Sequence, residues 1–383
     1  APGNAGTRLV GENINIPVED ILGLKAFALK NRIDLTVAGP ELPLTEGIAD
    51  EFEKAGLRLF GPSKKAAQIE GSKAFSKDLM ARYGIPTADY RRFSGYAEAL
   101  KYIKAGHPPY VVKADGLAAG KGVIICGTMD EACEAVGLIM EKKAFGSAGD
   151  TVVIEEFLEG EEASFLVVTD GSTVIPLAPA QDHKAIGDDD KGPNTGGMGA
   201  YSPAPVITPA LEKEIMDTVM APAVKAMEAE GIPYKGVLYA GLMIKDNRPK
   251  ALEFNCRLGD PETQPILMRL EGDLAGLFVS AIEGRLEGVE LKWSERASVC
   301  VVMASKGYPG DYEKGKVIRG LEDASRLGDV MVFHAGTALK DNETITSGGR
   351  VLGVTALGDT IKDALERAYS AVDRISFDGA YYR

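Results

Sequence analysis

Short apolar runs alternate with amphipathic segments in the first part of the chain. Helical periodicity covers residues 18–31 and 46–55, and the short runs at 33–38 and 57–60 are typical of buried strands. Strands that alternate with helices usually pair in parallel and form layers with those helices. The pattern therefore predicts a parallel α/β domain over residues 1–70.

The rest of the sequence divides into a long middle part, residues 71–292, and a β-rich end, residues 293–383. In the middle part the pattern predicts strands at 110–113, 151–154 and 236–244, a hairpin strand after the turn 246–248, and helices at 209–230 and 264–285. In the end part it predicts strands at 297–304, 330–335 and 351–356, followed by a helix at 359–373. We expect three domains, the last a small α+β domain.

The second strand of the predicted hairpin carries polar side chains on one face. Side chains alternate along a strand, so Glu253, Asn255 and Arg257 point to the same side. The other side carries Phe254, Cys256 and Leu258. Carboxylate and amide oxygens suit Mg²⁺, which keeps substrate phosphates in its shell, and arginine holds an anion with a planar fork. Taken alone, the face is equally consistent with a solvated Glu–Arg pair.

A lysine and a glycine-rich loop follow a strand in the middle part. Lys113 lies among valines, where a charge is costly to bury without an anion. Residues 114–122 can wrap phosphates with backbone N–H groups and with Lys121. The spacing differs from the G-x-x-x-x-G-K-[ST] loop, because only three residues separate Gly116 from Gly120. A flexible hairpin loop is the alternative, which the β pattern on both sides disfavours.

A helix is predicted to begin after Ser72, well ahead of this strand. Ser72 is typical of an N-cap residue, and the helix that follows it carries Lys73 and Lys77. A lysine at a helix start usually faces solvent, so this feature alone assigns no function.

Three further polar segments carry candidate chemistry. Residues 39–41 come after a strand's carboxyl end, where open parallel sheets place ligands, although a plain Gly-Pro turn is slightly favoured. The acidic residues 155–162 suit recognition of an adenine amino group through backbone and of a ribose diol through a carboxylate, or a solubilising turn. The loop 192–203 is long, glycine-rich and polar, and such loops are usually functional or disordered.

Charge and cysteine content narrow the class of protein. The 383 residues include 43 Lys and Arg against 56 Asp and Glu, a formal net charge of −13. An acidic chain without a basic run argues against nucleic acid as a main partner, and no apolar stretch suits a membrane span. The four cysteines lack metal-ligand and redox spacing, so buried thiols in a reducing compartment are expected. A cytosolic enzyme is the default expectation.

These motifs together resemble the phosphoribosylamine–glycine ligase (glycinamide ribonucleotide synthetase) family, ATP-grasp enzymes of purine biosynthesis. The resemblance lies in residues 1–7, 39–41, 70–73, 113–122, 155–158, 181–184, 192–203 and 253–264. It covers essentially every segment of the chain, and the last two segments are the most specific. It implies a parallel α/β N-terminal domain, an ATP-grasp domain and a small C-terminal α+β domain, over residues 1–70, 71–292 and 293–383. It also implies ATP with Mg²⁺ or Mn²⁺, glycine and 5-phosphoribosylamine as substrates, no nucleic acid or membrane partner, and a cytoplasmic monomer.

The resemblance assigns roles residue by residue. The nucleotide would contact Lys73, Lys113, Gly116, Gly120, Gly122, Glu155, Phe157, Leu158 and Glu162, with Glu162 on the ribose. Glu253 and Asn255 match metal ligands, and Arg257 and Lys121 would act in catalysis, Arg257 on an acyl phosphate. The other substrates would be surrounded by Gly39, Pro40, Glu41, Asp182, Lys184, Asn194, Thr195, Gly196, Gly197, Met198, Asp260 and Glu262.

Two features depart from the family pattern. The family has a strand and a glycine-rich loop ahead of the position of Ala1, so the N-terminal domain is expected to lack its first strand here. The strand at 236–244 offers no second carboxylate for a metal. If two Mg²⁺ ions bind, Glu253 would have to bridge them or Glu262 would assist.

The leading hypothesis is that ATP phosphorylates the glycine carboxylate and that the amine of phosphoribosylamine attacks the resulting acyl phosphate. Another ATP-grasp carboxylate–amine ligase, with different substrates, is one alternative. A non-catalytic nucleotide-binding protein is a second. Substrate-dependent release of ADP separates the three.

Overall fold

The computed structural model describes residues 1–118 and 122–383. The predicted roles of Gly120 and Lys121 fall outside these residues and stay predictions. Within the described residues, no helix combines the length and apolar character that a membrane crossing needs.

The N-terminal part is a small α/β layer. Strands β1 (Thr36–Val37) and β2 (Leu59–Phe60) pair in parallel, which confirms the predicted arrangement. Its helices are α1 (Thr7–Val10), α2 (Ile21–Asn31), α3 (Glu41–Glu46) and α4 (Ile48–Lys54). Gly47, with φ of 99°, separates the last two helices, because a residue in the left-handed region ends a helix. The segment 39–41 leads from the end of β1 into α3.

The first sheet of the middle part is antiparallel and has four strands in the order β3–β6–β4–β5. These strands are β3 (Tyr90–Phe93), β4 (Tyr110–Ala114), β5 (Val123–Cys126) and β6 (Val152–Glu156). The helices of this region are α5 (Gln68–Gly71), α6 (Lys73–Tyr83), α7 (Tyr96–Ala105) and α8 (Met129–Val136), the last continued by a π turn, Gly137–Glu141, and followed by a 3-10 turn, Gly146–Gly149. Apolar residues of α7 and α8 share a core with β4, β5 and β6, so one face of this sheet is packed.

The second sheet is also antiparallel, in the order β14–β13–β7–β8. Its strands are β7 (Glu161–Thr169), β8 (Val174–Pro176), β13 (Gly236–Lys245) and β14 (Arg248–Asn255). The predicted hairpin is confirmed, with a bulge: Gly241 pairs with Glu253 and Leu242 with Ala251, so Leu252 lies opposite no residue of β13. The predicted helix over 209–230 is observed as α9 (Pro209–Ile215), a π turn (Met216–Met220) and α10 (Ala221–Ala229).

The single helix predicted over 264–285 is wrong. The chain forms α11 (Thr263–Arg269) and α12 (Leu274–Ile282), and between them β15 (Leu270–Glu271) pairs with β16 (Lys292–Trp293). Gly272, with φ of 147°, turns the chain, and the Asp273 carboxylate accepts the Gly276 N–H to cap α12. The apolar period continues through this break, so periodicity alone hides it.

The third large sheet has six strands, in the order β18–β21–β17–β12–β9, with β22 beside β17. Its members are β9 (Gln181–Asp182), β12 (Gly199–Ser202), β17 (Ala297–Ser305), β18 (Val330–His334), β21 (Arg350–Gly358) and β22 (Ala380–Tyr381). The remaining elements are β10 (Ala185–Gly187), a 3-10 turn (Asp188–Asp190), β11 (Lys191–Asn194), α13 (Leu321–Ser325), β19 (Thr337–Lys340), β20 (Glu343–Thr346) and α14 (Ile361–Val372). Two strands of this sheet precede residue 293 and the others follow it, so the sheet crosses the predicted domain boundary, which stays a prediction.

Candidate active site

A cavity of about 630 Å³ lies between the two four-stranded sheets, with residues of all three parts of the chain in its wall. It brings together most of the described residues that the sequence singled out. They are Gly39, Pro40, Glu41, Lys73, Lys113, Gly122, Glu155, Phe157, Leu158, Glu162, Asp182, Lys184, Asn194, Thr195, Gly196, Glu253, Asn255, Arg257, Asp260 and Glu262.

Three described residues with predicted site roles, Gly116, Gly197 and Met198, are not among the lining residues. The Met198 side chain is buried, with 1% of its surface exposed. A Cβ on Gly197 would lie 2.3 Å from Cδ of Pro261, so this glycine permits a close contact between two loops. The carbonyl of Gly116 accepts a hydrogen bond from Nζ of Lys73 at 3.1 Å. These residues shape the loops around the cavity instead of facing it.

The lysine end of the cavity is built by α6 and β4. The Ser72 hydroxyl accepts the Phe75 N–H at 3.1 Å, confirming the predicted N-cap and placing Lys73 in the first turn. Lys113, buried at the end of β4, donates to the carbonyl of the bulged residue Leu252 at 3.2 Å. Burial lowers the pKa of Lys73, while the carboxylate of Glu253 opposes the shift. Two cations thus lie side by side in the cavity wall.

Apolar side chains form facing walls next to these lysines. The first sheet contributes Val111, Val123 and Ile125, and the second contributes Met243 and Leu252, with Phe157 and Leu158 beyond the end of β6. Ile125 and Phe157 are 56% and 37% exposed although they are large and apolar. Such a slot between two sheets fits a planar aromatic group, and polar groups at one end fix its orientation.

The Glu155 carboxylate is paired with two lysines. It is 2% exposed and forms ion pairs of 2.9 Å with both Lys77 and Lys113. Because the side chain of Glu155 is paired with the two lysines, a base could contact this residue through its backbone only.

The polar strand face predicted from the sequence lies at the centre of the cavity. Burial acts to raise the pKa of Glu253, but the cations of Lys184, Lys113, Lys73 and Arg257 outweigh it and lower that pKa. The Glu253 carboxylate is therefore ionised, and it lies on the same side of the strand as Asn255. Leu258, predicted on the opposite face, also lines the cavity, because β14 ends at Asn255 and strict alternation ends with it.

Glu253 and Asn255 offer two oxygen donors to a metal from the cavity wall. In the parts of the chain that the structure covers, no group of three or more His, Cys, Asp or Glu side chains is placed to hold a metal. Two oxygen donors do not make a closed cage, but they suit Mg²⁺, which binds through one or two carboxylates together with substrate phosphates and water. The residues fit a metal that arrives with its nucleotide.

Glu262, the candidate second carboxylate, is buried and hydrogen-bonded. Its Oε1 accepts the Tyr239 hydroxyl at 2.6 Å and the Ser164 hydroxyl at 3.0 Å. Burial raises the pKa of Tyr239 well above its ordinary value, with Glu262 adding to the shift, so the phenol stays a donor. These two hydroxyls fix the carboxylate at the cavity wall.

Arg257 is held by two carboxylates from the N-terminal side of the cavity. Its Nε donates to Glu41 at 2.8 Å, and Nη2 lies 3.2 Å from Glu70. Burial acts to lower the pKa of Arg257, but Glu70 and Glu41 outweigh it and raise that pKa. Glu70 is fixed in turn, since its other oxygen accepts the Cys256 N–H at 2.7 Å. Glu41, predicted to contact substrate, thus also orients Arg257.

Asp182 and Lys184, from the segment around β9, also line the cavity. Burial raises the pKa of Asp182 to about 7, with Lys184 opposing the shift and Glu262 and Glu162 adding to it. Burial acts to lower the pKa of Lys184, but Asp182 and Glu162 outweigh it and raise that pKa. Lys184 forms an ion pair with Glu162, the residue predicted to hold a ribose.

Arg350 and Tyr308 are site residues that sequence reasoning missed. Arg350 lines the cavity and donates to the Gly196 carbonyl at 2.7 Å, the Asp260 carbonyl at 2.8 Å and the Asp260 carboxylate at 3.0 Å. The Tyr308 hydroxyl accepts the Gly196 N–H at 3.0 Å. The only sequence signal was the pair of glycines before Arg350, which marks a tight turn and no chemistry.

Two antiparallel sheets face each other across the cavity, with Lys113 on the first and Glu253 and Asn255 on the second, and this arrangement defines the chain as an ATP-grasp protein. Three family models match it in succession. They describe the phosphoribosylglycinamide synthetase N domain over residues 1–70, the ATP-grasp (A) domain over 71–263 and the C domain over 298–383. The chain belongs to the phosphoribosylglycinamide synthetase family.

Individual relatives agree with this assignment. The chain is 56% identical to the phosphoribosylamine–glycine ligase of Vibrio vulnificus strain YJ016 and 54% identical to that of Escherichia coli O6:H1, in each case over 100% of this chain and 90% of the relative. The crystal structure of the Thermotoga maritima phosphoribosylamine–glycine ligase matches with a TM-score of 0.85 at 35% identity, covering 100% of this chain and 92% of that one. A biotin carboxylase domain from Hydrogenobacter thermophilus, at 19% identity and a TM-score of 0.75 over 96% of this chain and 81% of that one, shares the fold.

Proposed function

We propose that this chain catalyses the ATP-dependent ligation of glycine to 5-phosphoribosylamine, which gives glycinamide ribonucleotide, ADP and phosphate. The observation that carries the proposal is the set of side chains that one cavity brings together. Its wall combines apolar side chains, two lysines, oxygen donors beside an arginine, and polar loops. These groups suit a base, a triphosphate, a transferring phosphoryl group and two small polar substrates.

The nucleotide occupies the lysine end. The base lies between the apolar walls, Glu162 lies near the ribose hydroxyls, and Lys73 and Lys113 bind phosphate oxygens as point charges. Gly122 would contribute to contact with the phosphates. A Cβ at Gly122 would lie 2.6 Å from Cβ of Ala118, so glycine permits this close approach.

The chemistry proceeds in two transfers. A glycine carboxylate oxygen attacks the terminal phosphorus of ATP, the bond to ADP breaks, and glycyl phosphate forms. The amine nitrogen of phosphoribosylamine then attacks the glycyl carbonyl, phosphate leaves with the bonding electrons, and the nitrogen loses a proton. Neither transfer requires a nucleophilic side chain, because positioning and charge neutralisation supply most of the catalysis of phosphoryl transfer.

Arg257 is the catalytic residue of this proposal. Its fork, oriented by Glu41 and Glu70, faces the region where the acyl phosphate would form and can hold two of its oxygens. Asp182 and Lys184 bind the charged ends of glycine, and residues 194–196 with Asp260 surround the amine substrate. Lys121 stays a candidate for phosphate contact from the loop.

A divalent metal belongs to the proposal through the residues that would hold it. Glu253 and Asn255 supply oxygen ligands for Mg²⁺ or Mn²⁺, and the nucleotide phosphates supply others. When bound, the metal neutralises charge on the transferring phosphoryl group. A monomeric state and a cytoplasmic location are further predictions.

ADP release by the purified chain tests the proposal. Turnover should require MgATP, glycine and freshly prepared phosphoribosylamine together, and Glu253→Gln should reduce it by at least about 100-fold through loss of charge stabilisation. Release of ADP with glycine and a different amine would favour another carboxylate–amine ligase. MgATP binding without turnover under saturating substrates would favour a non-catalytic nucleotide-binding protein.

A further inference from the structure

A lysine that the proposed mechanism does not use lies buried beside the nucleotide end of the cavity. Lys77 follows Lys73 by one turn of α6, and 2% of its surface is exposed. Its Nζ lies 2.9 Å from Oε2 of Glu155 and donates to the Thr87 hydroxyl at 2.7 Å. An ammonium group is costly to bury, so a lysine in this position depends on an opposite charge at contact distance.

Glu155 is shared between two lysines. Its second oxygen, Oε1, lies 2.9 Å from Nζ of Lys113, which also donates to the Leu252 carbonyl. Glu155 is itself 2% exposed, so water has little access to replace either ammonium group. The three side chains together carry two positive charges and one negative charge in a nearly dry environment.

The same contacts join the two sheets that enclose the cavity. Glu155 belongs to β6 in the first sheet, whereas the Thr87 hydroxyl donates to the Ala251 carbonyl on β14 of the second sheet at 2.6 Å. Lys77 contacts both Glu155 and Thr87 from α6. Its ammonium group therefore links the walls on either side of the proposed triphosphate site.

We propose that Lys77 is a positioning residue for the nucleotide, which neutralises Glu155 so that Lys113 can turn from this carboxylate to a phosphate of ATP. Without Lys77, Lys113 is the sole partner of Glu155, and a phosphate that recruits Lys113 leaves a buried carboxylate unpaired. An unpaired buried charge costs far more than a broken surface pair. The inference rests on the proposed ATP site and is independent of the identity of the carboxylate and amine substrates.

Calorimetric titration of the full chain with MgATP tests this role. Lys77→Met should weaken MgATP binding by at least about 10-fold, a loss of about 1.4 kcal/mol. The control Lys101→Met, which removes an exposed lysine from α7, should bind as the wild type does. In steady-state assays the KM for ATP should rise in Lys77→Met while the KM for glycine holds, a split that a general loss of folded protein would not produce.

A double variant separates action through Glu155 from direct contact with the nucleotide. Because Lys77→Met combined with Glu155→Gln leaves neither charge unpaired, its MgATP affinity should lie within about threefold of the single Glu155→Gln variant, less than about 1 kcal/mol. A further 10-fold loss in the double variant overturns the proposal, and this comparison holds even if Lys77→Met alone does not fold. Wild-type affinity in a folded Lys77→Met variant also overturns it. A wild-type chain that binds MgATP without ligase turnover would refute the proposed function and leave this inference standing.

Discussion

The charged side chains of the cavity set one another's protonation states. Glu253 lies among four cations, which keep its pKa low against the effect of burial. For Asp182, burial and the neighbouring carboxylates outweigh the cation of Lys184, so its pKa rises to about 7. Opposed shifts in two carboxyl groups of one cavity are typical of functional sites, because burial and specific charge partners act there together.

The raised pKa of Asp182 predicts that glycine binding depends on pH. The groups that face it are Lys184, Glu262 and Glu162, and its carboxyl group must be ionised to pair with the glycine ammonium. The KM for glycine should therefore fall as pH rises from 6 to 8. The decrease should be up to about 10-fold for each pH unit below the pKa of Asp182. Asp182→Asn should raise the KM and flatten this profile. An unchanged profile in Asp182→Asn would assign the pH dependence to another group.

The same group affects the free energy of unfolding without ligands. Its pKa in the folded state, about 7, lies above the ordinary value of 3.8. Its stabilising contribution is therefore complete below the ordinary value and is lost as pH rises through about 7. The melting temperature of the wild type should decrease between pH 6 and 8 more than that of Asp182→Asn, as calorimetry of the two ligand-free proteins would show.

Arg257 carries a second prediction at the scale of the residue. Arg257→Ala should lower kcat by about 10³-fold, because a fork aimed at developing charge acts mainly on the transition state. The KM for ATP should change by less than about fivefold, since interactions that bind ATP equally in the ground state and the transition state are hardly affected. Arg257→Lys should recover only part of the rate, because a point charge cannot bind two oxygens in a plane. Turnover near the wild-type value in Arg257→Ala would rule out the role.

Individual residues show where sequence reasoning succeeds and where it ends. The N-cap at Ser72 lies where local spacing predicts it, and Glu253, Asn255 and Arg257 line one cavity, as the alternation of side chains predicts. The metal role of this face stays a prediction. The carboxylate of Glu155 points to Lys77 because α6 packs against the first sheet, and the two residues are far apart in sequence. Side-chain partners set by such packing carry no local signal.

At the scale of the element, two loops beside the cavity are held in place by hydrogen bonds from side chains of the C-terminal part. Arg350 binds the carbonyl of Gly196 and both the backbone and carboxylate of Asp260, and Tyr308 binds the N–H of Gly196. A Cβ on Gly196 would lie 2.9 Å from the Arg350 guanidinium, so glycine allows this stacking. The loops that would surround the amine substrate therefore depend on side chains beyond the ATP-grasp part.

Loss of these contacts should affect the amine substrate selectively. Arg350→Met should raise the KM for phosphoribosylamine by about 10-fold or more, because several charge-assisted hydrogen bonds order the loop. MgATP affinity, measured by calorimetry, should stay within about twofold. Tyr308→Phe removes one acceptor and should show the same selectivity with a smaller effect. Equal losses for ATP and amine would indicate a general structural role.

Elements were predictable where the pattern repeats locally. The hairpin β13–β14 follows from two apolar runs around a polar turn, and β17, β18, β21 and α14 lie close to their predicted positions. The bulge at Leu252 was not predictable, because it arises from pairing between strands. The helix predicted over 264–285 failed because an apolar period continued across Gly272, and only the paired strands β15 and β16 reveal the break.

At the scale of the whole molecule, the six-stranded sheet ties the middle part of the chain to its end. Strand β12 pairs with β17 through four consecutive residues, from Gly199 with Val301 to Ser202 with Ser298. Arg269 adds buried contacts, donating to the Ser202 hydroxyl and to the carbonyls of Ser294 and Arg296. Removal of β17 would expose one edge of β12, and an unpaired edge of apolar character invites aggregation.

A chain cut after residue 292 should therefore fail to form the complete site. It loses β17, β18, β21 and β22 together with Arg350 and Tyr308, so β9 and β12 lack the sheet that orders Asp182 and the loop at residues 194–198. We expect the fragment 1–292 to aggregate or to unfold without a cooperative transition, measured by calorimetry and light scattering. The matched control is a protease site inserted at the exposed turn of Asp341 and Asn342, between β19 and β20, where cleavage should preserve melting and MgATP binding. A fragment that melts cooperatively and binds MgATP with wild-type affinity would show that the ATP-grasp part folds on its own, and that the shared sheet serves only the substrate side of the cavity.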